Sequence, residues 1–186
     1  MILHLLRHGA VETPNLLLGH TDARPTPAGI AACVHRSADV AFTRLITSDL
    51  SRAAQAAQAI SNESGLCARL DPRWRELDFG AWDGKAPSQI EARALARFWD
   101  DPEAFPPPQG ERWSALKARV GHAIAELANE DTLIVTHGGA MRAAVAYLCG
   151  LAQSHTWAID LPYNALLSLK VWPGEKPTAQ IIGLKT

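Results

Sequence analysis

Apolar residues fall in short runs separated by stretches in which they recur every three or four positions. Ile2 to Leu6, Leu45-Ile46-Thr47, Arg69-Leu70, 132–136, 165–172 and 178–184 read as strands. Helical spacing appears in Leu50, Ala53, Ala54, Ala57 and Ile60, and again in Trp113, Leu116, Val120, Ile124 and Leu127. Thr26-Pro27 supplies an N-cap and a first-turn proline for a helix through about Arg36. Ser48 or Asp49 is expected to cap the next helix. Further helices are expected over about 88–99, 111–128 and 139–149. Residues 76–86 read as a loop broken by Gly80 and Gly84, and 101–110 as a loop with four prolines. Alternating strands and helices predict an α/β fold: a three-layer α/β/α sandwich on a mostly parallel sheet. The last two strands flank Pro173-Gly174 and are expected to pair antiparallel.

The chain has 186 residues, expected to form one domain over 1–186. Apolar residues make up 47% and charged residues 20%, an ordinary globular balance. The net charge of -1 gives no field for nucleic acid, so any anion site must come from locally placed charges. Cys33, Cys67 and Cys149 are odd in number and widely spaced, which predicts reduced thiols in a cytoplasmic protein. The N-terminal apolar stretch meets Arg7 at once, so neither a leader nor a membrane span is expected.

Four features look costly unless they serve an anion. Arg7-His8-Gly9 ends the first strand, with Gly9 allowing a tight backbone turn. Thr136-His137-Gly138-Gly139 ends a later strand and opens a helix, whose free N–H groups suit phosphate oxygens. Two strands that each end in His-Gly suggest one site built from both. Arg52 falls in the first turn of its helix, where a cation opposes the dipole unless both face a shared negative group. Glu76 lies in a loop with Phe79, Gly80, Trp82 and Gly84 around it. An apolar setting there would suit a general acid. Each feature alone reads equally well, or better, as a solvated strand end, a surface arginine, a capping histidine or a solvated acid. Together they form a phosphoryl-transfer set.

This set resembles the histidine phosphatase superfamily, the phosphoglycerate-mutase-like proteins, over nearly the whole chain. Arg7-His8-Gly9 is similar to the family signature, and 19–22 with 26–29 to its G-x-T-D and L-T-x-x-G segments. Residues 48–53 resemble the S-x-L-x-R-A helix start, 76–84 the E-x-x-x-G-x-W-[DE]-G loop, and 136–139 the late histidine. The resemblance implies His8 as the nucleophile, with Arg7, Arg52, His137 and Gly138 holding the phosphoryl group and Glu76 as general acid and base. No G-x-x-x-x-G-K-[ST] or G-x-G-x-x-G motif appears, so no cofactor is expected, and the histidine spacing suggests no metal. His8 must then attack through a neutral nitrogen while its other nitrogen donates to some acceptor. Members often read R-H-G-E-T-x-x-N, but here Ala10 and Val11 replace Glu-Thr, and Asn15 is followed by Leu16-Leu17-Leu18. The first substrate loop is therefore expected to differ.

Chain length and the early Gly19-His20-Thr21-Asp22 segment resemble the alpha-ribazole phosphatase branch of cobalamin synthesis. The expected partner is a small phosphomonoester, with alpha-ribazole 5'-phosphate one candidate, and the expected state a monomer or homodimer. The alternatives are a phosphoglycerate mutase, or a phosphate-binding module that has lost turnover. His20 is expected on a loop near the site, as a candidate contact with phosphate or leaving group. Arg142, one turn into its helix, is expected to be structural. Trp82, Trp99 and Trp113 are candidate pocket walls.

Overall fold

The computed structural model describes residues 1–186. Its six strands are β1 (Ile2–Arg7), β2 (Arg44–Thr47), β3 (Ala68–Leu70), β4 (Thr132–Thr136), β5 (Leu166–Trp172) and β6 (Thr178–Lys185). They form one sheet in the order β3-β2-β4-β1-β5-β6. β1, β2, β3 and β4 pair in parallel; β5 runs against β1, and β6 against β5. Only β5 therefore opposes the common direction. The expected three-layer, mostly parallel sheet and its terminal hairpin are what the chain forms.

The five helices are α1 (Pro27–Ser37), α2 (Ser51–Ser64), α3 (Ala92–Asp100), α4 (Trp113–Ala125) and α5 (Gly138–Cys149). Strand side chains alternate between the two faces. Leu3, Leu5 and Ile134 point into a core with α4 and α5, whereas Leu6, Leu133 and Val135 point into one with Cys33 of α1 and Ala53, Ala56 and Ile60 of α2. The α5-side core is the larger and extends through Trp74, Phe79, Trp82 and Phe98, so the long connection between β3 and α4 belongs to that layer.

The sequence expectations fail at several helix ends, each for a local reason. Neither Ser48 nor Asp49 caps α2. Its N-cap is Leu50, without a side-chain bond, and Asp22 accepts from the Ser51 N–H at 2.6 Å and from Ser51 Oγ at 2.7 Å. A carboxylate from a remote loop thus meets the positive end of the helix. α3 starts at Ala92, not near Ser88, because Glu91 is its N-cap and accepts from Arg93 N and Ala94 N. α4 starts at Trp113 because Glu111 is drawn away to Arg119. Residues 153–158 form a 3-10 turn that no periodicity announces. No helix is long and apolar enough to cross a membrane.

Parallel pairing of β1 with β4 sets Arg7 beside Thr136, and the His8 N–H donates to the Thr136 carbonyl at 2.9 Å. The two His-Gly ends are therefore neighbours. α1 leaves β1 toward one face and α5 leaves β4 toward the other, which opens a crevice at the carboxyl ends of both strands. Turning the chain out of β1 needs backbone-to-backbone contact. A Cβ on Gly9 would lie 2.2 Å from the Gly29 carbonyl oxygen, and no side chain is there to give way. Gly9→Ala is therefore expected to destabilise the fold by about 1–3 kcal/mol. An unchanged urea midpoint would contradict that contact.

Candidate active site

His8 follows the last residue of β1 and is 5% exposed. Its Nδ1 lies 2.8 Å from the Gly9 carbonyl oxygen. A carbonyl can only accept, so Nδ1 carries the proton and Nε2 keeps its lone pair. The acceptor that fixes the tautomer is thus the backbone of the next residue. Burial lowers the His8 pKa well below its ordinary value, and the charge of Arg52 adds to this; the Gly9 carbonyl opposes it, and Arg7 lowers it further. The ring is a neutral imidazole with an available nitrogen.

His137 is fully buried behind His8, ring centroids 5.0 Å apart. Arg52 Nε donates to its Nδ1 at 3.2 Å. Nε2 therefore carries the proton and donates to Ser48 Oγ at 2.8 Å. Both ring nitrogens are engaged. Burial, followed by Arg52, His8, Arg7 and Arg119, drives its pKa well below the ordinary value. Of the two states open to this histidine on sequence grounds, cation or neutral donor, it takes the neutral one.

Arg52 is 0% exposed, an unusual burial for a guanidinium in the first turn of a helix. Its Nη1 donates to the Thr21 carbonyl, and Nη2 to the Leu18 and Gly19 carbonyls. With Nε on His137, four of its five N–H groups have protein acceptors. Asp83 fixes the same loop from its other side, accepting from the N–H groups of Gly19, His20 and Thr21. Burial lowers the Arg52 pKa, opposed by Glu76, Asp22 and Asp83.

Arg7 Nη1 donates to the Leu161 carbonyl at 2.6 Å, and the guanidinium carbon stands 4.6 Å from the centre of the Tyr163 ring. Its Nε is buried and has no hydrogen-bond partner. A half-buried cation whose enclosed Nε–H is unsatisfied is what an anion site presents.

Glu76 Oε1 accepts from the Leu77 N–H at 2.8 Å, and Oε2 from the Gly139 N–H at 3.0 Å. The carboxylate sits against the N-terminus of α5, so it takes one of the N–H groups expected to face phosphate. A Cβ on Gly139 would fall 2.1 Å from Oε1, which makes glycine a condition of this approach. The backbone of the loop is held too: Arg119 donates to the carbonyls of Arg73, Arg75 and Glu76 and pairs with Glu111 at 2.8 Å. His20 donates through Nε2 to the Glu76 carbonyl at 3.2 Å and approaches Asp78 at 3.6 Å.

Arg7, His8, Glu76 and Gly138 line one end of a cavity of about 250 Å³; Arg52, His137 and His20 do not line it. The expected set is therefore split. Arg52 and His137 back His8 from beneath. His20 braces the backbone of Glu76 and does not face the cavity. Trp99 and Trp113 line the cavity as expected, but Trp82 does not.

Arg142 also lines the cavity, contrary to the expectation of a purely structural arginine. It donates to the Thr156 and Ile159 carbonyls and stacks on the Trp157 ring at 4.1 Å. It lies four positions after Gly138 on the same helical face, so spacing could have found it. Tyr163, whose ring centre is 5.4 Å from that of His8, had no such signal.

The model of the histidine phosphatase superfamily (branch 1) matches residues 3–183. The glucosyl-3-phosphoglycerate phosphatase of Mycobacterium tuberculosis is 30% identical over 183 residues, 88% of this chain and 82% of that protein. The "Probable phosphoglycerate mutase GpmB" of Erwinia tasmaniensis is 30% identical over 161 residues, 80% and 75% of the two chains. The alpha-ribazole phosphatase structure from Shigella flexneri superposes with a TM-score of 0.82 at 25% identity, covering 100% of both chains.

Two neutral buried histidines tie stability to pH. In the unfolded chain each would take up a proton below about pH 6.5. In the fold their pKa values are depressed, so the unfolded state binds more protons there. Their contribution is complete above pH 6.5 and is lost as pH falls toward the folded-state values, by up to about 1.4 kcal/mol per pH unit for each histidine. Urea midpoints between pH 7 and pH 5 should fall, and His8→Asn should flatten that slope by about one proton. An equal slope in the variant would mean that His8 is not held neutral.

Proposed function

The chain belongs to the histidine phosphatase superfamily (branch 1), and from that premise we propose that it hydrolyses a small phosphomonoester through a phosphohistidine on Nε2 of His8. The observation that carries this reading is the Nδ1–H bond to the Gly9 carbonyl, which leaves Nε2 as the attacking lone pair.

In the first step Nε2 forms a bond to phosphorus while the bond from phosphorus to the ester oxygen breaks. Glu76, in its acid form, delivers a proton to the departing oxygen. In the second step a water oxygen bonds to phosphorus while the Nε2–P bond breaks, Glu76 takes a proton from that water, the bond pair returns to Nε2 of a neutral His8, and inorganic phosphate departs. Phosphoryl transfer depends chiefly on positioning and charge stabilisation. Arg7 offers its unpartnered Nε–H. Arg52, bonded to the His137 ring that meets His8, places a further positive charge behind the nucleophile, where it would favour negative charge on a phosphoryl group at Nε2. His137, held by Arg52 and Ser48, keeps that guanidinium in place. Gly138 lines the same end of the cavity at the start of α5, where helix geometry favours an anion.

Mutase chemistry would begin with the same phosphohistidine, and one relative carries that name. A mutase must retain a carboxylated intermediate, and the cavity offers it only Arg142 beyond the phosphoryl end. Hydrolysis is the better-supported outcome. Alpha-ribazole 5'-phosphate is one candidate substrate, consistent with the Shigella neighbour's name.

Rapid quenching with radiolabelled substrate should trap an acid-labile, alkali-stable phosphoenzyme. His8→Ala should abolish it and lower kcat by about 10³-fold or more; an undiminished phosphatase in that variant would overturn the mechanism. Glu76→Gln should lower kcat by about 10²-fold or more for alkyl phosphates and much less for a nitrophenyl ester, whose leaving group needs no proton. Equal losses on both esters would remove Glu76 from the general-acid role.

A further inference from the structure

The cavity that begins at Arg7, His8 and Glu76 continues into a wall of a different character. Twelve of its 20 lining residues are hydrophobic. Trp99, near the end of α3, and Trp157, in the 3-10 turn at 153–158, meet edge to face with ring centroids 5.7 Å apart and planes at 82°. Both stay substantially exposed, at 41% and 48%. Each ring is nonetheless packed on one side. Phe98 packs on Trp99 at 4.7 Å and contacts Phe79 and Trp82 in the core, while Arg142 covers one face of Trp157 at 4.1 Å. Large apolar rings packed in this way at a cavity mouth cost little entropy when a ligand settles on them.

The polar inventory narrows what can settle there. Outside the charged cluster, Tyr163 stands beside His8, and Gln153 is the one remaining polar side chain in the lining apart from the indole N–H groups. A polyol would lose water from several hydroxyls and find few partners, which is unfavourable. A carboxylated alcohol would have only Arg142, whose Nη1 is already bonded to the Thr156 and Ile159 carbonyls. A flat aromatic group asks for no such partners and gains from edge and face contacts with indole. Leu16, Leu17 and Leu18, in the loop after His8, add aliphatic surface to the same cavity.

We propose that this wall is a leaving-group subsite that selects phosphomonoesters whose alcohol carries an aromatic ring system, held against Trp99 and Trp157. The inference rests on the hydrolase reading above and names its substrate class. The selective group is a heterocycle or arene linked through an alkyl oxygen, in preference to a free sugar or a phosphoglycerate.

Ethyl phosphate and 2-(1-naphthyl)ethyl phosphate both release a primary alkoxide, so they separate ring recognition from leaving-group acidity. The wild-type protein should favour the naphthyl ester in kcat/KM by about tenfold or more. Trp99→Ala and Trp157→Ala should each bring that ratio to within about threefold of unity, and Trp99→Phe should retain most of it. The ratio is the readout, so a general loss of folded protein or catalytic power cancels. Equal kcat/KM values in the wild type, a ratio unmoved in both alanine variants, or faster turnover of glucose 6-phosphate or 3-phosphoglycerate would overturn the proposal. Calorimetry with the matching ethyl and naphthylethyl phosphonates reads the same preference without turnover. Preferential binding of the aryl phosphonate by a protein that cleaves neither ester would refute the hydrolase reading and leave the subsite standing. Cleavage of both esters with equal phosphonate affinities would do the reverse.

Discussion

The parallel pairing of β1 with β4 is the constraint on which the site depends. It places Arg7 opposite Thr136, so both strands reach their carboxyl ends at one level and each presents a histidine there. A shift of one residue would exchange the faces of every side chain in β1. Leu3 and Leu5 would leave the α5-side core, Leu6 would enter it, and His8 would no longer overlie His137. The apolar alternation that builds the two cores therefore also sets the 5.0 Å separation of the imidazoles. Catalytic geometry here follows from strand register, and register follows from burial.

Charge taken up by loop backbone, fully buried at Arg52 and half-buried at Arg119, is the second organising element. Arg52 and Arg119 lie on different helices and work alike, each satisfying itself on a set of backbone carbonyls. Arg52 gathers residues 18, 19 and 21; Arg119 gathers 73, 75 and 76. Loops carry carbonyls that no ladder satisfies, and a planar five-donor group can hold several at once. Each clamp has an acidic counterpart. Asp83 collects the N–H groups of the first loop, and Glu111 pairs with Arg119 beside the second while accepting from the Asp78 N–H. Glu76 is thus placed by its backbone, through Arg119 and His20, before its carboxylate meets Gly139. The loop sequence tells little of this, because the donors come from segments remote in the chain.

What could be read in the sequence follows from how local the cause is. Arg7-His8-Gly9 and Thr136-His137-Gly138 stand out because apolar runs end there and glycine follows. Thr26 caps α1 as expected, accepting from the Gly29 N–H, because the whole device spans four residues. The α2 cap is different. Ser48 and Asp49 have the right chemistry in the right place, yet Ser48 Oγ is needed by His137 and Asp49 pairs with Arg75. The group that meets the start of α2 is Asp22, 29 residues before Ser51. Arg52 was legible as an anomaly, a cation against a helix dipole. Its resolution on loop carbonyls and on His137 was not, since no periodicity encodes which loop lies across a helix end. Tyr163 was silent for the same reason: it stands in an irregular segment just after Ile159 and Leu161, whose carbonyls Arg142 and Arg7 hold.

The two ends of the cavity obey opposite physics, and their separation is informative. At the end beside His8, Arg7, with Arg52 behind the ring, would favour charge that develops on phosphate oxygens, and low local dielectric would strengthen that effect. On the proposed reading, the apolar end would contribute to this as well as to recognition. A ring seated against Trp99 and Trp157 would cover the mouth beside Arg142 and displace water from the approach to Glu76. Water would then have to return before the phosphohistidine could be hydrolysed. A leaving group that departs readily from an exposed indole surface suits that sequence better than one bonded to many polar partners. The exposure of Trp99 and Trp157, costly for a surface with no occupant, would suit the proposed binding and release of a ring in each turnover.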